Sequence, residues 1–173
     1  MRTPILLLAL LVAGCTTTET LPVFETAPEP VVENCSTRSF AEFPGAFSNP
    51  ANLVAGPFVL VGGARPTSAA TAEEFGGNKF PALVRQGHTA TVRVPEEARD
   101  LVSLGYGPLP QGEIRYAEGH EAVAFTACAS ESRRVTFWSG GILVREPACA
   151  PLDVYADGSA TPQRIRIELG ADC

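Results

Sequence analysis

The chain has 173 residues, with 13 Lys or Arg against 19 Asp or Glu, for a formal net charge of −6. This acidic balance offers no basic face for phosphate contacts, which excludes nucleic acid as a partner, and no polybasic patch for anionic lipid headgroups. The length suits one domain of the commonest size.

The first predicted element is an export signal. Arg2 gives a positive start, Ile5 to Val12 is apolar, and Ala13-Gly14 supplies small residues. That run is too short to cross roughly 30 Å of hydrocarbon, which takes about 20 helical residues. A short apolar run between a positive start and small residues reads as a secretory signal over residues 1–14. Leu11-Val12-Ala13-Gly14-Cys15 resembles the lipobox of bacterial lipoproteins, in which a small pair precedes an invariant cysteine. The resemblance covers residues 1–15. It implies thioether lipidation of Cys15, cleavage before it and acylation of the new amino group. Membrane lipid is then the first partner, and the location is the cell envelope, outside the cytoplasm. Two or more acyl chains anchor a protein stably where one holds it only marginally.

Residues 16 to 34 are rich in Thr, Pro and Glu and carry no apolar period. Such a composition buries too little surface to offset chain entropy. We read residues 15–34 as the lipidated cysteine and a flexible tether, kept semi-extended by its prolines.

From Cys35 to Cys173 the pattern is that of a β-domain. Gly56 to Gly62 reads as a buried strand. Phe80 to Gln86 and Thr89 to Pro95 read as a pair of strands with Gly87-His88 as a hairpin turn, Val92 and Val94 facing one way and Thr91 and Arg93 the other. Leu101 to Tyr106 is a further strand, and Glu121 to Cys128 places Val123, Phe125 and Ala127 on one face. Arg134 to Trp138 and Ile142 to Arg145 flank Ser139-Gly140-Gly141, a second hairpin signal. Leu152 to Ala156 and Gln163 to Leu169 flank Asp157-Gly158-Ser159, a third, since Gly accepts φ > 0. The last strand alternates Ile165, Ile167 and Leu169 inward with Arg164, Arg166 and Glu168 outward. Helix is confined to one or two turns at Thr71–Phe75 and Glu96–Leu101. Short strands at regular spacing predict an all-β antiparallel β-sandwich, with a small β-barrel as the alternative. Ala90 to Pro95 resembles the middle strands of Ig-like exported domains.

Five cysteines are present. Setting Cys15 aside as the lipid site leaves four, an even number as an oxidising compartment favours. Four cysteines allow three pairings, and the sequence does not choose among them. Two strand ends at one edge of a sandwich bring Cys149 to Cys173, which leaves Cys35 for Cys128. No C-x-x-C occurs, so the reading is structural disulfides rather than a redox or metal motif.

Catalytic motifs are not recognisable. The chain lacks a G-x-S-x-G elbow, a P-loop and a complete dinucleotide fingerprint. The residues after the signal contain no methionine and two histidines, His88 and His120. Both lie in turn-like settings, so no metal or cofactor is expected. Glu73-Glu74 and Glu96-Glu97 read as solvated faces. Trp138 is the residue to watch. Its phase relative to Val135 and Phe137 is compatible with the surface, where with Arg134, Tyr106 or Tyr116 it would form a stacking platform; the alternative is packing beneath the Gly-rich turn. The leading expectation is a membrane-anchored module that binds an envelope protein or wall polymer. A hydrolase or other enzyme with a dispersed site and a small-ligand carrier are the alternatives.

Overall fold

The computed structural model describes residues 28–110, 115–129 and 134–173. The signal, Cys15 and the tether up to residue 27 lie outside the described residues. The fold is all-β and sandwich-like, with its strands in three sheets, none of which closes into a barrel. A five-stranded sheet takes β1 (Val31–Glu33), β8 (Ala122–Thr126), β6 (Thr89–Arg93), β11 (Ala148–Ala156) and β12 (Gln163–Leu169) in that order. A four-stranded sheet runs β2 (Leu53–Ala55), β3 (Phe58–Leu60), β5 (Ala82–Arg85) and β9 (Val135–Trp138). The third sheet is β4 (Gly77–Lys79), β10 (Gly141–Val144) and β7 (Val102–Gly105). Every pairing of these strands is antiparallel except β1 with β8.

All three sheets turn their apolar positions onto one core. Phe58 and Leu60, Val84 and Trp138 enter it from the four-stranded sheet. Val92, Phe125, Leu152 and Ile167 enter from the five-stranded sheet, and Leu104 and Ile142 from the third. Phe125 stands at the centre of an aromatic cluster, with ring centroids 5.2 Å from Trp138, 5.3 Å from Tyr106 and 5.7 Å from Phe58. The alternation read in β12 is observed: Ile165, Ile167 and Leu169 are buried. A single short helix, α1 (Ala69–Phe75), is described, capped by the Ser68 hydroxyl and ended by Gly76 at φ 59°.

The structure corrects the sequence reading at several points. The domain starts before Cys35, because Val31–Glu33 pairs with Val123–Phe125 as β1. Two adjacent β-branched residues, Val31 and Val32, suffice for a strand once an edge is present to receive them. The Asp157-Gly158 hairpin joins β11 to β12, with φ of 48° and 73° at the two turn residues. The other two turn signals do not make hairpins. Gly87-His88 carries the chain from the four-stranded to the five-stranded sheet, since both edges of β5 are already taken by β3 and β9. Ser139-Gly140-Gly141 likewise passes from β9 to β10 in another sheet. Its glycines serve close approach: a Cβ on Gly140 would lie 2.1 Å from Tyr106 Cδ1, and one on Gly141 2.3 Å from the Asn78 carbonyl oxygen. The disulfides are Cys35–Cys128 and Cys149–Cys173. Cys149 sits within β11, where it faces Glu168 of β12, rather than after a strand.

Candidate functional site

The four-stranded sheet has an inner face in the core and an outer face with its own apolar layer. Period-two alternation turns Val59 of β3, Leu83 of β5, and Val135 and Phe137 of β9 outward. Val59 and Leu83 are nevertheless fully buried, because Phe43, Ala46 and Phe47 of the preceding loop pack over them. Asn52 clamps that loop: its amide donates to the Ala46 carbonyl at 2.8 Å and its side-chain oxygen accepts from Gly62 N–H at 2.8 Å. Phe43 meets Phe137 edge-on at 4.9 Å.

Two adjoining grooves open where this layer meets solvent. The first, about 430 Å³, lies between β9 and the Arg38–Ala41 segment, with the Cys35–Cys128 disulfide in its wall. The second, about 410 Å³, lies between the Phe43–Ser48 loop, Arg85 and Arg134. Val135 lines both. The rims carry guanidinium groups held near rings. Arg85 lies 3.9 Å from the Phe47 centroid, and Arg38 lies 4.8 Å from that of Phe40 while donating to the Cys35 carbonyl at 2.7 Å. No carboxylate among the described residues is ion-paired with Arg38, Arg85 or Arg134. Phe40 is 69% exposed. An aromatic surface rimmed by arginines has the composition typical of recognition sites.

Of the two residues predicted for a binding surface, Arg134 lines the second groove and Trp138 does not. Trp138 is 0% exposed, and its indole N–H donates to the Asn34 carbonyl at 3.1 Å. The phase of β9 is the reverse of the surface reading: Val135 and Phe137 face the outer layer, so Thr136 and Trp138 point into the core. Tyr106 is also buried and donates to the Phe80 carbonyl at 2.6 Å, and burial pushes its hydroxyl well above the usual tyrosine range. Tyr116 hydrogen-bonds the Arg99 carbonyl and lies under Arg145. The stacking platform is therefore not assembled. The residues missed were Arg38, Arg85 and the run Phe40, Phe43 and Phe47. Three phenylalanines in an aperiodic Pro-Gly segment were the available signal, since so much apolar surface in a loop needs something to cover.

The two histidines stand at opposite ends of the β6–β8 ladder. His88 precedes the Thr89–Thr126 pair, and His120 precedes the end where Val94 N–H meets the Glu121 carbonyl. At about 3.3 Å per residue the separation is roughly 20 Å, beyond any shared ligand. His88 Nδ1 lies 2.8 Å from Asp157 Oδ2, and Asp157 Oδ1 accepts from Thr89 N–H at 2.9 Å. Among the described residues no serine hydroxyl is hydrogen-bonded to His88, so this dyad closes a turn without a nucleophile. The Thr89 N–H, and then His88, hold the Asp157 carboxyl below its usual range. A lowered folded value means that this contribution is complete above the ordinary carboxylate pKa near 3.8 and is lost as pH falls through the lowered value. Asp157→Asn, which tolerates positive φ, is expected to flatten the acid limb of thermal stability below about pH 4. Melting curves from pH 5 to 2 check this, and an unchanged acid limb would refute it.

Glu33 is buried, with Oε1 accepting from Gly107 N–H at 2.6 Å. Its Oε2 and the nearby His120 Nε2 are both buried without a hydrogen-bond partner. The two are not ion-paired, and no group of three His, Cys, Asp or Glu among the described residues is placed to share a metal. Neither groove is lined by a histidine, so the hydrolase reading gains no supporting observation. The inward faces are filled by Phe, Val, Leu and Ile side chains, which leaves the carrier reading in the same position. Compared with known proteins, the chain matches no family model, no curated protein and no solved structure.

Proposed function

We propose that this chain is a lipid-anchored binding module of the cell envelope, tethered through Cys15. In this reading it presents the paired grooves on the four-stranded sheet to another envelope component. The observation that carries the reading is a preformed surface in which Arg38, Arg85 and Arg134 rim two adjoining grooves beside exposed Phe40. The two disulfides fit an oxidising compartment. The lipobox resemblance supplies the anchor, and the acidic chain without a polybasic patch leaves lipid as its hold on the membrane.

The test is photo-crosslinking in cells. A benzophenone amino acid is placed at Phe40, or at Glu73 on α1 as the control, in the full chain and in Cys15→Ala. A discrete adduct from position 40 and none from position 73 is expected, weakened when Cys15→Ala moves the protein to the soluble fraction. Equal labelling from both positions, or none from position 40 in the membrane-bound protein, overturns the reading.

A further inference from the structure

Among the described residues β9 is the last strand of its sheet, so one of its edges has no strand neighbour there. The backbone shows which groups face that edge. Arg134 turns its carbonyl toward β5, where it accepts from Gln86 N–H, while Phe137 turns its carbonyl the other way, to Ser39 N–H at 2.8 Å. Backbone groups of successive strand residues point to alternate sides, so Val135 also directs its N–H and C=O outward. Ser39–Phe137 is a single antiparallel bridge. Continued by two residues it would set Ala41 against Val135. Instead the segments part, and the gap between them is the first groove, with Ala41 and Val135 among its walls. A sheet edge that is begun and not continued is a template for another chain.

The charge around this edge selects the occupant. Arg38 stands on the far wall of the groove, and Arg85 and Arg134 stand beyond Val135 in the adjoining one. Arg38 commits Nη1 to the Cys35 carbonyl and to Cys128 Sγ, so its Nε and Nη2 donors are the ones left for a ligand. Glu42 is the single acid in the stretch from Arg38 to Ser48, so the rim is locally cationic in a chain of net charge −6. In an added strand, side chains two residues apart share a face. Carboxylates at every second position would then all lie on the outer side of the sheet, where the guanidiniums of Arg38 and Arg85 are held over phenylalanine rings.

We infer that the first groove takes an extended acidic peptide segment of a partner protein, added as a strand along the free edge of β9. The inference rests on the binding-module reading and names its partner's chemistry. The probe is a fluorescein-labelled octapeptide of alternating glutamate and valine, titrated against the full chain in detergent. An alternating lysine–valine octapeptide and a glutamate–valine octapeptide with alternate amides N-methylated are the comparators. We expect the acidic peptide to bind at least about tenfold more tightly than either comparator, the worth of one lost charge-assisted contact. Arg38→Gln with Arg134→Gln should weaken it by a similar factor and reduce its salt dependence.

The comparator peptides act on the unaltered protein, so the result does not depend on whether the variant folds. Equal binding of the lysine peptide, or no effect of N-methylation, overturns the inference. If no peptide binds while purified peptidoglycan co-sediments with the protein, or while position 40 still gives its adduct in cells, the inference fails and the binding-module reading stands. If all of these fail, both fall.

Discussion

Trp138→Ala is expected to cost about 3–5 kcal/mol, a large share of the roughly 5–15 kcal/mol that holds a domain of this size together. Trp138 is fully buried at the junction of the four-stranded sheet with the aromatic cluster, 5.2 Å from Phe125. Truncation removes its contacts with that cluster and leaves a void that neighbours fixed in three sheets fill only in part. It also removes the indole N–H bond to the Asn34 carbonyl just after β1, which keeps its bonds from the Thr37 N–H and hydroxyl. Trp138→Phe keeps most of the ring volume and loses that hydrogen bond, so its cost should be smaller, about 1–3 kcal/mol. Urea unfolding followed by far-UV circular dichroism measures both. Because Trp138 is the single tryptophan, native fluorescence gives an independent check: blue-shifted emission that iodide does not quench. Quenchable emission, or a loss below about 1 kcal/mol for the alanine variant, would place the ring outside the core.

The same residue shows where sequence reasoning reaches and where it stops. Alternation named the inward residues of β12 correctly because one face of that strand meets solvent and the other the core, which is the situation period two describes. β9 has apolar layers on both faces, so Val135, Thr136, Phe137 and Trp138 are all at least half-covered and period two cannot say which side holds the larger core. Turn residues were read as hairpins because they report that the chain reverses or that backbones come close; they do not report which strand becomes the neighbour. Asp157-Gly158 reverses the chain onto the adjacent strand, Gly87 redirects it to another sheet, and Gly140 makes room for the Tyr106 ring. The sequence leaves three cysteine pairings open, and sheet order decides among them by setting Cys149 on β11 beside β12, whose end leads to Cys173. The grooves are likewise not legible in the sequence, since Arg38, Arg85 and Arg134 are far apart in it and meet only through sheet order.

The second large effect concerns the disulfides. Loop-closure entropy grows with the length of chain enclosed, so the Cys35–Cys128 bridge, with 93 residues of separation, should stabilise more than Cys149–Cys173 with 24. The entropic model gives about 4.6 and 3.4 kcal/mol, roughly 1.2 kcal/mol apart. We therefore expect Cys35→Ala with Cys128→Ala to melt well below Cys149→Ala with Cys173→Ala, as read by denaturant midpoints under non-reducing conditions. The longer bridge has a second consequence, because of where it sits. It lies two residues beyond β1, a three-residue strand on the sheet edge, and it forms part of the wall of the first groove. A strand that short has little pairing energy of its own, so once the bridge is gone β1 should open locally before the rest of the domain. Hydrogen exchange at Val31–Glu33 should then speed up far more in the Cys35/Cys128 variant than in the Cys149/Cys173 variant. If the chain is anchored through Cys15 as proposed, a pull on the anchor would enter the domain through β1, and the bridge would keep that load from reaching the groove. Equal midpoints with equal exchange at β1 would show that the two bridges act only through the unfolded chain, and would remove this mechanical role for Cys35–Cys128.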